Sequence, residues 1–293
     1  RDLPAQRLVL ADRRARPLAR WLVRRWETIP SDIVDRAAAL SPEGMNPQEG
    51  FDAALAAIAN VDGWLTPEQA RRLWDRTRSL PSGSSVVEIG SFHGRSTIVL
   101  ARARPENEGL VAIDPHGGDE RLPQTGRSAP DMGQQDFVAF HANLRRAGVE
   151  RRVRHVRLHS LEALQAVDGA VDLLFIDGAH RYRPVRADIE RWGSRVPAGG
   201  TLLLHDSFNA IGVTLAQLRM LVVSRRWRYC GRSGSLAEYR REAVSVPDSV
   251  AGALHQLAQL GYFARSLAIK AALVARMRPV ARALGHRMDA WPH

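Results

Sequence analysis

The chain has 293 residues, 45% of them hydrophobic, enough to bury a full core for one large α/β domain with appendages or for two small domains. Its net charge of +11 and pI near 11.1 predict attraction to phosphates, anionic lipid or anionic glycans, and of its 42 basic residues only Lys270 is a lysine. The single cysteine, Cys230, excludes an internal disulfide framework and points to a reducing compartment, and no run of about eighteen uncharged apolar residues is present to span a bilayer.

Residues 1–30 interleave arginines with Leu8, Leu10, Leu18, Trp21, Leu22 and Trp26, the outline of a basic amphipathic helix that Pro17 breaks or restarts. Arg20, Arg24 and Arg25 interrupt any signal-like apolar core, so a cytoplasmic chain is expected. Such a helix either packs as a solvated edge or meets a membrane or a partner. Pro42 to Gly50 reads as a loop and Phe51 to Ile58 as a short helix. Thr66-Pro67-Glu68-Gln69 has a capping residue, a proline at the first helical position and an acid in the first turn, so a helix is expected from there to about Arg78.

The chain is organised around Val86-Val87-Glu88-Ile89-Gly90-Ser91-Phe92-His93-Gly94-Arg95-Ser96-Thr97. A short buried strand leads through two glycines into an apolar helix, which lets a ligand approach the backbone closely and meet the helix N-terminus. The spacing is E-x-G-x-x-x-G, not the G-x-G-x-x-G of the dinucleotide fingerprint. A carboxylate on the strand suits a ligand carrying an ammonium group better than a pyrophosphate. Gly109 to Asp114 gives a second strand ending in an acid, placed to accept hydrogen bonds from ribose hydroxyls.

Pro115 to Gln135, with four glycines and three prolines, reads as an active-site lid or ordered flap, followed by a helix over 136–147. A strand over 153–158 precedes Ser160, which is expected in a loop placed to contact a base ring. Val171 to Asp177 is a near-continuous apolar strand of the kind buried on both faces, and it runs into Gly178-Ala179-His180. A helix over 186–192 and the turn Pro197-Ala198-Gly199-Gly200 lead to strand Thr201-Leu202-Leu203-Leu204, which ends in His205-Asp206-Ser207-Phe208. Two short segments flanking Gly231-Arg232-Ser233-Gly234 form a closing hairpin. From about Pro247 the pattern is helical, with Leu254, Leu257, Leu260, Phe263, Leu267, Val274 and Met277 as its apolar stripe. That segment either covers the core or makes a peripheral membrane or dimer contact.

Strands alternating with helices predict a doubly wound α/β sheet, and Glu88, Asp114, Asp177 and Asp206 all fall at the C-terminal ends of its strands, where such sheets bind ligands. The motifs V-V-E-I-G-S-F-H-G-R-S-T, A-I-D-P-H, L-L-F-I-D-G-A-H-R-Y and P-A-G-G-T-L-L-L-H-D-S-F together resemble class I S-adenosylmethionine-dependent methyltransferases. Within that class the similarity is to the cephalosporin-hydroxylase-like and macrolide-sugar O-methyltransferase branch. The resemblance covers roughly residues 62–240. It implies a Rossmann-like sheet of about seven strands with an antiparallel last hairpin. A helical extension over 1–61, a core over 62–241 and a basic helical extension over 242–293 are expected around it.

The resemblance further implies a cofactor site of Glu88, Gly90, Ser91, Phe92, Gly94, Ser96, Asp114, Ser160 and Asp177 for S-adenosylmethionine. It implies Asp177, His205 and Asp206 as ligands of a divalent cation, Mg²⁺ or Mn²⁺, with Asp177 and His180 catalytic and His180 the general base. Two carboxylates are hard oxygen ligands suited to Mg²⁺. The branch tends to carry Glu where this chain has His205, and imidazole favours zinc, iron or manganese. Three readings stay open: His205 ligates a different metal, two carboxylates hold it more weakly, or His180 works alone.

The expected reaction is O-methylation of a small-molecule or glycan hydroxyl, on a sugar, glycolipid or related metabolite. An anionic membrane surface at the inner face of the membrane and a homo-oligomer are the candidate partners of the basic terminal helices. A nucleic-acid methyltransferase is the runner-up, disfavoured because Asp177-Gly178-Ala179-His180 stands where an Asn/Asp-Pro-Pro-aromatic motif would. A non-catalytic S-adenosylmethionine-binding partner protein is the reading from another class.

Overall fold

In the computed structural model, residues 47–105, 108–118 and 129–286 are described, and all belong to one compact unit. The basic helix expected over 1–30 and residues 119–128 of the expected flap lie outside these residues. No helix among them is long and apolar enough to cross a membrane.

The described chain opens with helices α1 (Pro47–Ile58) and α2 (Pro67–Arg78). Helix α2 starts as its sequence predicts: the Thr66 side chain accepts from the Gln69 amide while the Gln69 side chain accepts from the Thr66 amide, a reciprocal capping box. Next come β1 (Val86–Ile89), α3 (Arg95–Ala103), β2 (Leu110–Ile113) and α4 (Pro130–Arg146). They are followed by β3 (Val153–Val156), α5 (Ser160–Ala163), β4 (Leu173–Ile176), α6 (Tyr182–Arg191) and β5 (Thr201–Leu204). Helix α7 (Ile211–Met220) leads to the hairpin β6 (Trp227–Ser233) and β7 (Leu236–Arg241). Helices α8 (Val246–Leu257), α9 (Leu260–Val274) and α10 (Arg278–Ala283) complete the described chain.

The seven strands form one sheet in the order β3-β2-β1-β4-β5-β7-β6. Strands β1 to β5 pair in parallel, and β7 runs antiparallel between β5 and β6. This is the doubly wound, Rossmann-like sheet with an antiparallel last hairpin. Crossovers run outward in opposite directions from β1 and β4, so the topological switch point, with its crevice beyond the strand ends, lies between them.

Strand alternation divides the core in two. Val86, Leu173, Phe175 and Leu203 face Phe51, Leu73, Ile98 and Phe140 on one side. Val87, Ile89, Leu174, Ile176, Leu202 and Leu204 face Val185, Ile189, Trp192 and Val213 on the other.

Several boundaries differ from the sequence reading. Helix α4 begins at Pro130, so residues 130–135 are helical and the flap is shorter than expected. Ser160 opens a turn of helix instead of lying in a loop, and α6 starts four residues early at Tyr182, because Arg183-Pro184 is tolerated in a first turn. Helix α7 was not expected at all; its exposed face carries Ile211 and Leu215, which blurs the amphipathic signal.

Of the C-terminal stripe, Leu254, Leu257, Val274 and Met277 are exposed and so do not cover the core, while Ala253, Gln256, Ser266, Ile269 and Ala272 are buried. The close-packed face is the small-residue face, which lets these helices approach the domain closely.

Candidate functional site

A cavity of about 770 Å³ opens at the C-terminal ends of β1, β2, β4 and β5, within the range that encloses a cofactor or drug-sized ligand. Its floor is the glycine turn after β1. Gly90 has φ +86°, and a Cβ there would stand 2.2 Å from the Asp177 carbonyl oxygen, so only glycine allows the β1 and β4 loops to meet. Gly94, also left-handed, packs against the Phe140 ring beneath the cavity and does not line it. Four non-glycine residues on these loops, Phe92, His116, Asp206 and Phe208, have φ between 45° and 55°. Such strain persists where surrounding structure over-determines the backbone, and it concentrates at functional sites.

Glu88 differs from expectation. It is fully buried under the turn and accepts hydrogen bonds from Ser91 Oγ at 2.9 Å, Ser96 Oγ at 2.5 Å and Thr97 Oγ1 at 2.5 Å. Burial pushes its pKa up to about 7, against the pull of those three hydroxyls. It does not line the cavity, whereas Gly90, Ser91, Phe92 and Ser96 do. The sequence shows an acid on the strand but not which face it takes; Glu88 points to the α3 side and fastens the turn to that helix.

Asp114 does line the cavity. Its Oδ2 accepts from the Ser91 and Phe92 amides at 2.8 and 2.9 Å, and its Oδ1 from the His116 amide at 2.8 Å. One carboxylate therefore ties the β1 and β2 loops together. Ser160 reaches the cavity while its hydroxyl donates to Asp188 Oδ1 at 2.5 Å. Burial raises the Asp188 pKa to about 6 despite that bond. Phe92 stacks on Trp64, which is 54% exposed and also lines the cavity. His93 stacks on Phe92 at 3.8 Å and pairs with Asp136, which lines the cavity, though His93 itself does not. His116 is in the wall, with its Nε2 donating to the Phe92 carbonyl. Tyr182 packs against the core, whereas Arg181 reaches the cavity.

The ionic centre lies between β4 and β5. Asp177, His180 and Asp206 each offer a ligand atom within 4.8 Å of the others. His180 Nε2 is 2.8 Å from Asp206 Oδ2. Burial disfavours the His180 imidazolium, but the Asp206 hydrogen bond and the Asp206 and Asp177 charges outweigh it, so its pKa lies above the ordinary value. Gly212 at the start of α7 abuts the His180 carbonyl, 2.3 Å from where its Cβ would be, and fixes that loop. Burial also opposes charge on Asp206, yet His205, His180 and Asn209 hold its pKa well below the usual carboxylate range.

His205, expected as the third ligand, is not one of that trio, yet its ring lies against the same two carboxylates. Its buried ring has Nδ1 3.0 Å from Asp177 Oδ1 and 3.8 Å from Asp206 Oδ2, but out of alignment, so neither ring nitrogen completes a hydrogen bond. Burial lowers its pKa while the two carboxylates lift it to about 9. His180, expected only as a base, takes the third corner. Oxygen and imidazole donors at this separation fit a divalent cation.

Sequence reasoning missed part of the wall. Arg95 turns its guanidinium onto the Ile58, Val61 and Leu65 carbonyls and so carries α3 to the N-terminal helices. Asn209 donates from Nδ2 to Asp206 Oδ1 at 2.8 Å. Lys270 reaches the cavity from α9. Its signal was in the sequence: a sole lysine where every other basic side chain is arginine.

Residues 87–207 match the family described as "Methyltransferase domain". The ribosomal RNA small subunit methyltransferase G of Corynebacterium efficiens is 26% identical over 137 residues, 44% of this chain and 58% of the relative. The catechol O-methyltransferase of Niastella koreensis is 24% identical over 160 residues, 53% of this chain and 61% of the relative. The chain thus spans less than two thirds of either. Among solved structures, an O-methyltransferase from Bacillus cereus in complex with SAH is 18% identical at a TM-score of 0.45, covering 76% of this chain and all of that one.

Proposed function

We propose that the protein, whose residues 87–207 match a methyltransferase-domain family, is an S-adenosylmethionine-dependent O-methyltransferase acting on a hydroxylated small molecule or glycan, assisted by a divalent cation. The observation that carries this reading is one cavity joining the glycine turn, Asp114 and Ser160 to the Asp177–His180–Asp206 cluster.

S-adenosylmethionine, when bound, supplies a methyl group on a sulfonium that is already a strong electrophile. The residues need to hold it, exclude water and present a hydroxyl in line. Gly90 opens the backbone to the ligand, Ser91, Phe92 and Ser96 line it, and Asp114 lies where ribose hydroxyls can donate. A hydroxyl with a pKa near that of water also needs its proton removed. His180, at the cavity mouth and oriented by Asp206, is placed to accept it. A divalent cation held by Asp177 and Asp206 with His205 would leave His180 as the base and lower the pKa of a hydroxyl oxygen as a Lewis acid; held with His180 instead, it would take the place of the base.

Titrating S-adenosylmethionine into the protein with EDTA, then with Mg²⁺ or Mn²⁺, tests the reading. Saturable binding in both conditions, with methyl transfer to hydroxylated acceptors that rises with metal, is expected. Absence of binding in either condition refutes it. The basic charge and the ribosomal RNA methyltransferase relative favour a second reading, methylation of RNA. Salt-dependent RNA binding with methyl transfer to RNA and none to small hydroxyl acceptors would establish that instead.

A further inference from the structure

The α9 helix places two side chains four residues apart, Ser266 and Lys270, on one face against the β5–α7 loop. Ser266 Oγ donates to Asn209 Oδ1 at 2.5 Å and Lys270 Nζ to the Asn209 carbonyl at 3.2 Å. Asn209, 1% exposed, in turn holds Asp206. Helix α9 is therefore fastened to the ionic centre through one buried residue and forms that side of the cavity.

The Lys270 ammonium is half-buried in this wall. It has three N–H donors, of which the Asn209 carbonyl takes one. It forms no ion pair among the described residues. The nearby carboxylates are already met: Asp206 by His180 at 2.8 Å and Asp177 by His205 at 3.0 Å. With a divalent cation neutralising those acids, the lysine charge is left over, and Asp206 acts on it only from beyond ion-pair distance. A positive charge withdrawn from water without a partner is costly unless a ligand supplies the counter-charge. Arg95, also in the wall, is turned by its Nε and Nη1 donors onto the Leu65, Ile58 and Val61 carbonyls.

We propose that Lys270 forms an acceptor subsite for an anionic group, a carboxylate or phosphate carried by the same molecule whose hydroxyl is presented at the Asp177–His180–Asp206 cluster. This inference rests on the methyltransferase reading and narrows its substrate class to hydroxylated acids or phosphorylated hydroxy compounds. Lys270 is a positioning and specificity residue in this scheme, since the bond changes occur at the acceptor hydroxyl.

The test uses the full chain saturated with S-adenosylhomocysteine and two matched probe pairs, glucose with glucuronate and catechol with 3,4-dihydroxybenzoate. Calorimetry first establishes S-adenosylhomocysteine binding by the wild type; its absence would overturn the methyltransferase reading itself. With that binding in hand, the charged member of at least one pair should bind about 10- to 100-fold more tightly, the range of one charge-assisted hydrogen bond. The preference should vanish in K270M and K270Q and largely persist in K270R, with folding of each variant checked by its melting curve. In turnover, K270M should raise KM for the charged probe with little change in kcat. No preference in the wild type, or a preference that survives both neutral variants, overturns the assignment. An equal kcat loss for charged and uncharged probes also overturns it, because Lys270 would then act on the reacting oxygen.

Discussion

Glu88 is the most informative residue to perturb, because its carboxylate is buried away from the cavity that sequence reasoning gave it. A group whose folded pKa is raised contributes stability below its unfolded pKa and loses it as pH climbs through the folded one. For Glu88 that window runs from the ordinary 4.5 to about 7. At about 1.4 kcal/mol per pH unit the gap is worth roughly 3.4 kcal/mol, of which about 2.5 kcal/mol falls between pH 5 and pH 8. Glu88→Gln removes the titration and leaves an amide that the same three hydroxyls can partner. Urea unfolding of wild type and variant at pH 5, 6, 7 and 8 isolates the effect, because other titrations cancel in the difference. Relative to wild type, Glu88→Gln should gain about 2.5 kcal/mol from pH 5 to pH 8. A flat difference, or one of opposite sign, refutes the assignment of Glu88 as a buried, partly protonated fastening.

Gly90→Ala should cost at least about 2 kcal/mol in chemical denaturation and abolish S-adenosylmethionine binding, since it adds a Cβ against the Asp177 carbonyl at a left-handed φ; wild-type behaviour would contradict the close approach. If His180 accepts the acceptor proton, it must be neutral, so in EDTA kcat/KM should rise with pH through a value above 6.5. His180→Gln should then lose about 100- to 10,000-fold and flatten that limb; a limb below pH 6 in the wild type would count against this role. His205, raised to about 9, contributes stability that is complete below pH 6.5 and lost as pH rises through 9. Across that interval the melting temperature of the wild type should fall more steeply than that of His205→Gln, and parallel curves would show that the Asp177 and Asp206 contacts do not stabilise the charged ring.

The sheet and its ligand edge were legible because both are written in local pattern. Apolar four-residue runs such as Leu173–Ile176, closed by an acid and glycines, specify strand, turn and edge without tertiary knowledge. What could not be read was direction and distance. Nothing in V-V-E-I-G distinguishes a carboxylate facing the cavity from one facing α3, because period-two alternation fixes parity but not which face is which. On paper His205 is the ligand and His180 the base, and only the fold shows both imidazoles bordering the same two acids, with His180 in the convergent trio. The C-terminal stripe misled for a related reason: the larger side chains face outward while Ala, Ser and Gln pack inward. Lys270 lies many residues beyond the last strand, so its place in the wall rests on a long-range contact.

That contact also comes late in synthesis. The glycine turn, Asp114 and the Asp177–Asp206 pair all leave the ribosome before Ser266 and Lys270. The residues of the sheet edge are therefore complete in the chain before α9 emerges to wall them. On the proposed function, the groove for a methyl donor is thus encoded ahead of the boundary that selects a recipient, and the discrimination proposed for Lys270 comes with the late helix seated on Asn209.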